Sequence, residues 1–335
     1  MAFNTINEFD VIFISYDEDN CEENWADLVG KVPWAKRVHG VEGSDAAHKA
    51  AANLSETDLF VSVDADNIVD TSFFNMELDL EHPKLNGKAI TWAAQNYING
   101  LEYGNGGLKL WPKQHVLSMR THEAAVGDDP RKQLEFCWDD NYVTMTNQYC
   151  TTHPEGSPKQ AFRAGFREGV KMSLDQGGKV DPLKFKETVW WGNYKRLITW
   201  CSVGADIENG LWAMYGARLG CYMTNLTDWD YVNVRDFTYL NNLWADTVVP
   251  KFAARSGKVS DTIIKCYKTG YTWDSSLLLD GISLLGENLR KGMGIEVAEL
   301  DATQSRFYKS AIIHAPRMNR MFTEDELNAM RKLNR

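Results

Sequence analysis

Short apolar runs alternate with amphipathic stretches through the first third of the chain. Val11-Ile12-Phe13-Ile14 is continuous apolar sequence, β-branched and aromatic, and predicts a strand over Asp10–Ser15. A polar loop, Tyr16-Asp17-Glu18-Asp19-Asn20, follows, and the spacing of apolar positions predicts a helix around Glu23–Val29. Lys36–Val41 reads as a second strand. Ser44 then caps an alanine-rich helix over Asp45–Leu54, whose small side chains suit close packing on a sheet. Leu59–Val63 is a third strand. Strands and helices alternating at these lengths imply right-handed crossovers and a mixed, mainly parallel sheet flanked by helices, an α/β fold. The loops after Ser15, Gly43 and Val63 then meet at one edge of that sheet.

Ala89–Ala94 reads as a further strand, and the turn Gly104-Asn105-Gly106-Gly107 leads into another at Leu108–Trp111. Turn residues and two prolines in Thr151–Pro158 mark a boundary. Beyond it the pattern is largely helical, with helices expected over Pro158–Leu174, Asp181–Thr199 and Asp206–Gly220. Two units are therefore expected: a sheet-bearing core over 1–150 and a largely helical region over 151–335.

A chain of 335 residues that is 44% hydrophobic can fill a sizeable core. It carries 36 basic against 46 acidic residues, a formal net charge of −10, which argues against a protein that coats nucleic acid along its whole surface. The six cysteines show no Cys-x-x-Cys spacing, so neither a zinc site nor a disulfide framework is expected. The first apolar run is too short for a leader or a membrane span, and a cytoplasmic location is expected.

The most informative stretch is Phe60-Val61-Ser62-Val63-Asp64-Ala65-Asp66-Asn67, where an apolar run ends in two acids one position apart. Carboxylates at the carboxyl edge of an open sheet suit a hard divalent ion that also holds substrate phosphates. The same spacing also serves as an acidic turn capping the next helix. Arg163, Arg167 and Lys171 recur every four residues on one predicted helix face, where they form either a basic cleft or a solvated face. Trp111, directly after the glycine turn, is expected to line a site as a platform for a sugar or base.

The order of strand, Ser15-Tyr16-Asp17-Glu18 loop, alanine-rich helix and strand ending in Asp64-Ala65-Asp66 resembles the nucleotide-binding half of glycosyltransferases of the GT-A fold, over roughly residues 9–150. A wider resemblance, through Trp191-Gly192-Asn193-Tyr194 and Val203–Gly210, is to glycosyltransferases of T-even-type bacteriophages and cyanophages, some of which transfer arabinose to hydroxymethylcytosine in DNA. The resemblance implies Mn2+ or Mg2+ held by Asp66 and Asp64, with Asp64 also facing the ribose, and a nucleotide sugar donor, UDP-linked. It places Ser15, Tyr16 and Asp17 at the base, with Asp45 or Lys49 reaching base or ribose. Near the end, Ala311–Arg317 reads as a short strand; by the same resemblance His314 completes the metal shell while Arg317 and Arg320 clamp the diphosphate. Asp139 and Asp140 occupy the part of the chain where such enzymes place an acceptor base, with Asp206 and Glu208 as rivals.

The acceptor implied is a hydroxymethylated pyrimidine in DNA, entering a pocket flanked by Arg163 and Arg167. A saccharide or protein acceptor stands as the alternative. A nucleotidyltransferase also uses paired acids and a divalent metal, but needs a glycine- and lysine-rich phosphate loop that Ser15-Tyr16-Asp17-Glu18 lacks. A non-catalytic sugar- or nucleotide-binding module is the remaining reading.

Overall fold

The computed structural model describes residues 3–103, 107–122, 134, 137, 140–253, 263–265 and 272–319. The first unit is a curled, mixed sheet with helices against it. Strand β1 (Asp10–Ser15) is followed by α1 (Cys21–Lys31), β2 (Lys36–His39), α2 (Ser44–Leu54) and β3 (Leu59–Asp64), matching the expected alternation to within a few residues. Helix α2 takes Gly43 rather than Ser44 as its N-cap. Then come β4 (Asn67–Val69), β5 (Ala89–Asn96), β6 (Glu102–Tyr103), β7 (Leu108–Pro112), α3 (Lys113–Ser118) and β8 (Tyr142–Thr152).

The sheet order is β2-β1-β3-β7-β5-β8-β4, with β6 paired to β5. Parallel pairing joins β1 to β2 and β3, and β5 to β8, whereas β7 and β4 run antiparallel to their neighbours. Only Ala65 and Asp66 separate β3 from β4, although three strands lie between them in the sheet order, so that they stand four strand spacings apart. Strands sit about 4.8 Å apart, so a flat sheet would put these two about 19 Å from each other. Two residues cannot reach that far, and the sheet must curl until its edge strand approaches β3.

One sheet face packs Val11, Phe13, Val61, Val63, Trp92 and Leu110 against α1 and the Phe73–Phe74 turn. The other buries Ile12, Val38, Phe60 and Trp111 beneath Ala51 and Ala52 of α2. Alanine lets that helix lie close, as its composition predicts.

Helices dominate from residue 158 onward: α4 (Pro158–Lys171), α5 (Trp191–Ser202), α6 (Gly210–Leu226), α7 (Phe237–Leu243), α8 (Ser275–Met293) and α9 (Ala302–Asn319). Helices α4 and α6 touch through their backbones. A Cβ added to Gly165 or Gly169 would lie 2.0 or 2.2 Å from the carbonyl oxygens of Ala213 and Ala217, and one on Gly216 or Gly220 would lie 2.3 Å from those of Phe162 and Phe166. Small residues four apart on both helices therefore interlock, fixing the α4 face that carries Arg163 and Arg167.

Three expectations change. The helix expected over Asp181–Thr199 is broken into a 3-10 turn, Pro182–Lys184, a single turn, Phe185–Thr188, and α5, because Val189 and Trp190 are extended and the Trp190 ring packs against Gly192. Helix α6 starts at Gly210 rather than Asp206, since Gly204 (φ 144°) and left-handed Asn209 (φ 60°) build a tight loop first. Ala311–Arg317 is helix, not strand: α9 is already running from Asp301, whose carboxylate accepts the Gln304 N–H at 2.8 Å while Gln304 Oε1 accepts from Asp301 N at 3.0 Å. Among the described residues no helix is long and apolar enough to cross a membrane, and Cys21, Cys137, Cys150, Cys201 and Cys221 are buried free thiols.

Candidate functional site

The turn from β3 to β4 carries Asp64, Ala65 and Asp66 at the carboxyl edge of the parallel strands. Its backbone is pinned on every side. Asp64 N–H donates to the Gly107 carbonyl at 2.9 Å, Asn24 Nδ2 donates to the Ala65 carbonyl at 2.7 Å, and His153 N–H donates to the Asp66 carbonyl at 2.6 Å. Gly107 is required here by close approach: a Cβ would lie 2.4 Å from both Asp64 Cβ and Asn67 Nδ2. Asn67 Nδ2 in turn donates to Asp66 Oδ1 at 2.8 Å.

Burial first, then the neighbouring carboxylates of Asp64 and Glu18, push the Asp66 carboxyl up to about 7, partly countered by the Arg163 guanidinium. An acid crowded by two others in a desolvated turn is a site of excess negative charge. Oxygen donors in that state fit a hard divalent cation completed by water or phosphate oxygens, such as magnesium or manganese. Elsewhere among the described residues, Cys21, Glu22 and His39 bring three ligand-type atoms within 4.8 Å. That cluster is already neutralised: Arg37 donates to Glu22 Oε1 at 2.6 Å and sits 3.6 Å from Cys21 Sγ and 3.1 Å from His39 Nδ1.

Around the acids stand side chains that sequence reasoning did not single out. β8 ends at Thr152, and His153 follows with Nδ1 2.7 Å from Glu155 Oε1. The Tyr97 ring stacks on His153 at 4.5 Å between centroids. Asn20 donates to the His153 carbonyl at 2.8 Å, tying the loop after β1 to the same place. Asn209 donates to the Glu155 carbonyl at 2.8 Å, which brings up the Gly204–Gly210 loop. Each of Tyr97 and His153 is the first residue after a strand ending at this edge, and that position was the available signal.

The expected site residues divide. Ser15 is buried, with Oγ 2.9 Å from His39 Nδ1 and accepting from Arg37 Nε at 3.0 Å. Tyr16 is exposed, and Asp17 lies 3.7 Å from Lys159 and 3.9 Å from Arg163, so this loop does meet α4 beside the acids. Asp45 and Lys49 pair with each other at 2.5 Å, and Asp45 also accepts from Thr121 N–H; these contacts hold its carboxyl below the usual range against the opposing effect of burial. Arg163 and Arg167 flank the Phe237 ring at 5.3 and 5.0 Å.

Trp111 does not line a site. It is fully buried between sheet and α2, its indole N–H donating to Ser62 Oγ at 2.9 Å, because the β7 pleat turns that position toward the α2 face. Asp140 lies at the wrong end. It precedes the first residue of β8, an 11-residue strand whose last residue reaches the acids, which separates Asp140 from them by roughly 30 Å. Asp206 is buried and paired with Lys309 at 2.6 Å, so it is a structural ion rather than an accessible base. His314 and Arg317 lie in α9, not on the strand end assumed for their roles. Asp139, Arg320 and the Gly104–Gly106 turn lie outside the described residues.

No family model matches this sequence, and neither does any curated protein. Among solved structures it is similar to a glycosyltransferase involved in the glycosylation of the major capsid of PBCV-1, at 15% identity and a TM-score of 0.26, over 41% of this chain and 82% of the other. A likeness at that TM-score carries no argument, so the chemistry rests on the geometry of the edge.

Proposed function

We propose that the protein is a metal-dependent glycosyltransferase of the GT-A type, moving a sugar from a nucleotide diphosphate sugar to a hydroxyl. The observation that carries this reading is the pinned Asp64–Asp66 turn at the carboxyl edge of the sheet, where burial first, and then the carboxylates of Asp64 and Glu18, push the Asp66 carboxyl up to about 7. In this reading Asp64 and Asp66 hold Mn2+ or Mg2+, which stabilises the charge left on the departing diphosphate. Arg163 adds a second positive charge from α4. Tyr16 and Asp17, in the loop that meets Arg163, receive the nucleotide base, uracil in the first instance.

The acceptor we propose is 5-hydroxymethylcytosine in DNA, with arabinose as the sugar. The resemblance in sequence motivates it, and the row Lys159, Arg163 and Arg167 beside the acids supports it, since guanidinium groups flanking an aromatic ring suit a phosphate-linked strand with an unstacked base. The test is incubation with manganese, a panel of nucleotide sugars and hydroxymethylcytosine-containing DNA beside unmodified DNA, followed by digestion and mass analysis of nucleosides. Pentose mass on the modified base alone is the expected result. Donor hydrolysis without DNA modification would move the acceptor to a saccharide or protein, and the absence of both would overturn glycosyl transfer.

A further inference from the structure

The loop after β5 is built to hold one aromatic ring still. Asn96 N–H donates to the Leu101 carbonyl at 2.8 Å and its carbonyl accepts from Gly100 N–H at 2.8 Å, while its side-chain oxygen accepts from Ile98 and Asn99 N–H at 3.0 and 3.3 Å. Gly100 supplies the positive φ, 76°, that closes the turn. Ile98 is fully buried in the helical core, where Gly204 packs against it. Tyr97 N–H donates to the Thr152 carbonyl at 3.0 Å, locking the loop to the end of β8.

Within so fixed a loop Tyr97 is 46% exposed. One face of the ring lies on His153, which Glu155 orients and whose backbone donates to the Asp66 carbonyl. The remaining surface is left to solvent, beside the acids. A chain of supports runs from Glu155 to His153 to Tyr97.

We propose that Tyr97 is the platform on which the sugar ring of the bound donor lies. The C–H bonds on one face of a furanose or pyranose are apolar and weakly positive, and they complement the negative face of an aromatic ring. A ring immobilised before binding loses little entropy on contact, so the contact is strong for its area. This deepens the glycosyltransferase reading and rests on it: the cation at Asp64 and Asp66 holds the diphosphate, and the sugar attached to that diphosphate reaches the neighbouring ring.

Titration calorimetry in manganese, with uridine diphosphate and with uridine diphosphate hexoses and pentoses as probes, separates the two claims. For Tyr97→Ala, affinity for uridine diphosphate stays within twofold of wild type, which also reports an intact fold. Affinity for the sugar nucleotide that wild type binds best falls about tenfold, and Tyr97→Phe restores it. Equal losses for both probes, or no loss for either, would overturn the platform while leaving the glycosyltransferase reading standing. A wild-type protein that binds neither probe would overturn both.

Discussion

Replacing Asp66 with asparagine removes a charge that the folded chain holds at a cost. The ordinary carboxyl value is 3.8 and the folded one about 7, a difference of about three decades in proton affinity, or on the order of 4 kcal/mol. Because the folded-state value is raised, the stabilising contribution of the protonated form is complete below pH about 4 and lost as pH rises through about 7. Asp66→Asn keeps the neutral shape at every pH and can still meet Asn67. In metal-free buffer the variant therefore matches wild type at pH 4 and exceeds it by as much as about 4 kcal/mol at pH 8. For 335 residues, with an unfolding entropy of about 2.1 cal/mol/K per residue, that corresponds to a Tm difference of about 6 °C. Calorimetric scans of both proteins from pH 4 to 8 measure it, and carboxylates that do not interact with Asp66 cancel in the difference. Manganese at millimolar concentration raises the wild-type Tm at pH 8 and leaves the variant unmoved. A variant less stable than wild type at pH 8, or a difference that stays flat with pH, would refute the argument that this turn carries uncompensated charge.

Gly107→Ala puts a Cβ 2.4 Å from Asp64 Cβ, so Asp64 must shift. Manganese affinity is expected to drop at least tenfold while circular dichroism keeps its shape, with a stability cost of about 1–3 kcal/mol from overpacking. Lys309→Met leaves Asp206 charged and buried without its partner. A loss of about 3–5 kcal/mol is expected in denaturant unfolding, most of it recovered in the Asp206→Asn, Lys309→Met double variant.

The alternating strands and helices up to Asp64 were legible because each obeys a local rule: a continuous apolar run for a buried strand, an alanine-rich helix for close packing. Asp64 and Asp66 were legible for the same reason, as the abrupt polar end of such a run. The misplaced residues share one cause. Trp111, Asp140 and Asp206 were judged by their neighbours in the chain, and their places depend on strand direction, pleat and an ion pair with a residue 103 positions later, Lys309. Which end of β8 reaches the acids is settled by its parallel pairing with β5 and antiparallel pairing with β4, information no local pattern holds. Tyr97 and His153 went unremarked because a lone aromatic or histidine in a loop is ordinary until its neighbours are known.

The two-residue link between β3 and β4 also bears on when the site forms during folding. Among the described residues β4 pairs only with β8, through Asn67 opposite Thr152, and the Thr152 hydroxyl lies 3.3 Å from Asn67 Oδ1 across 85 positions of sequence. Closing so long a loop is slow compared with building the neighbouring β1–α1–β2 unit. A chain released from the ribosome before residue 152 has emerged can assemble its first three strands, yet lacks the strand that holds Asp66 in its turn. Cation binding should then appear in refolding experiments only with the last structural phase, which makes it a kinetic marker for closure of the sheet.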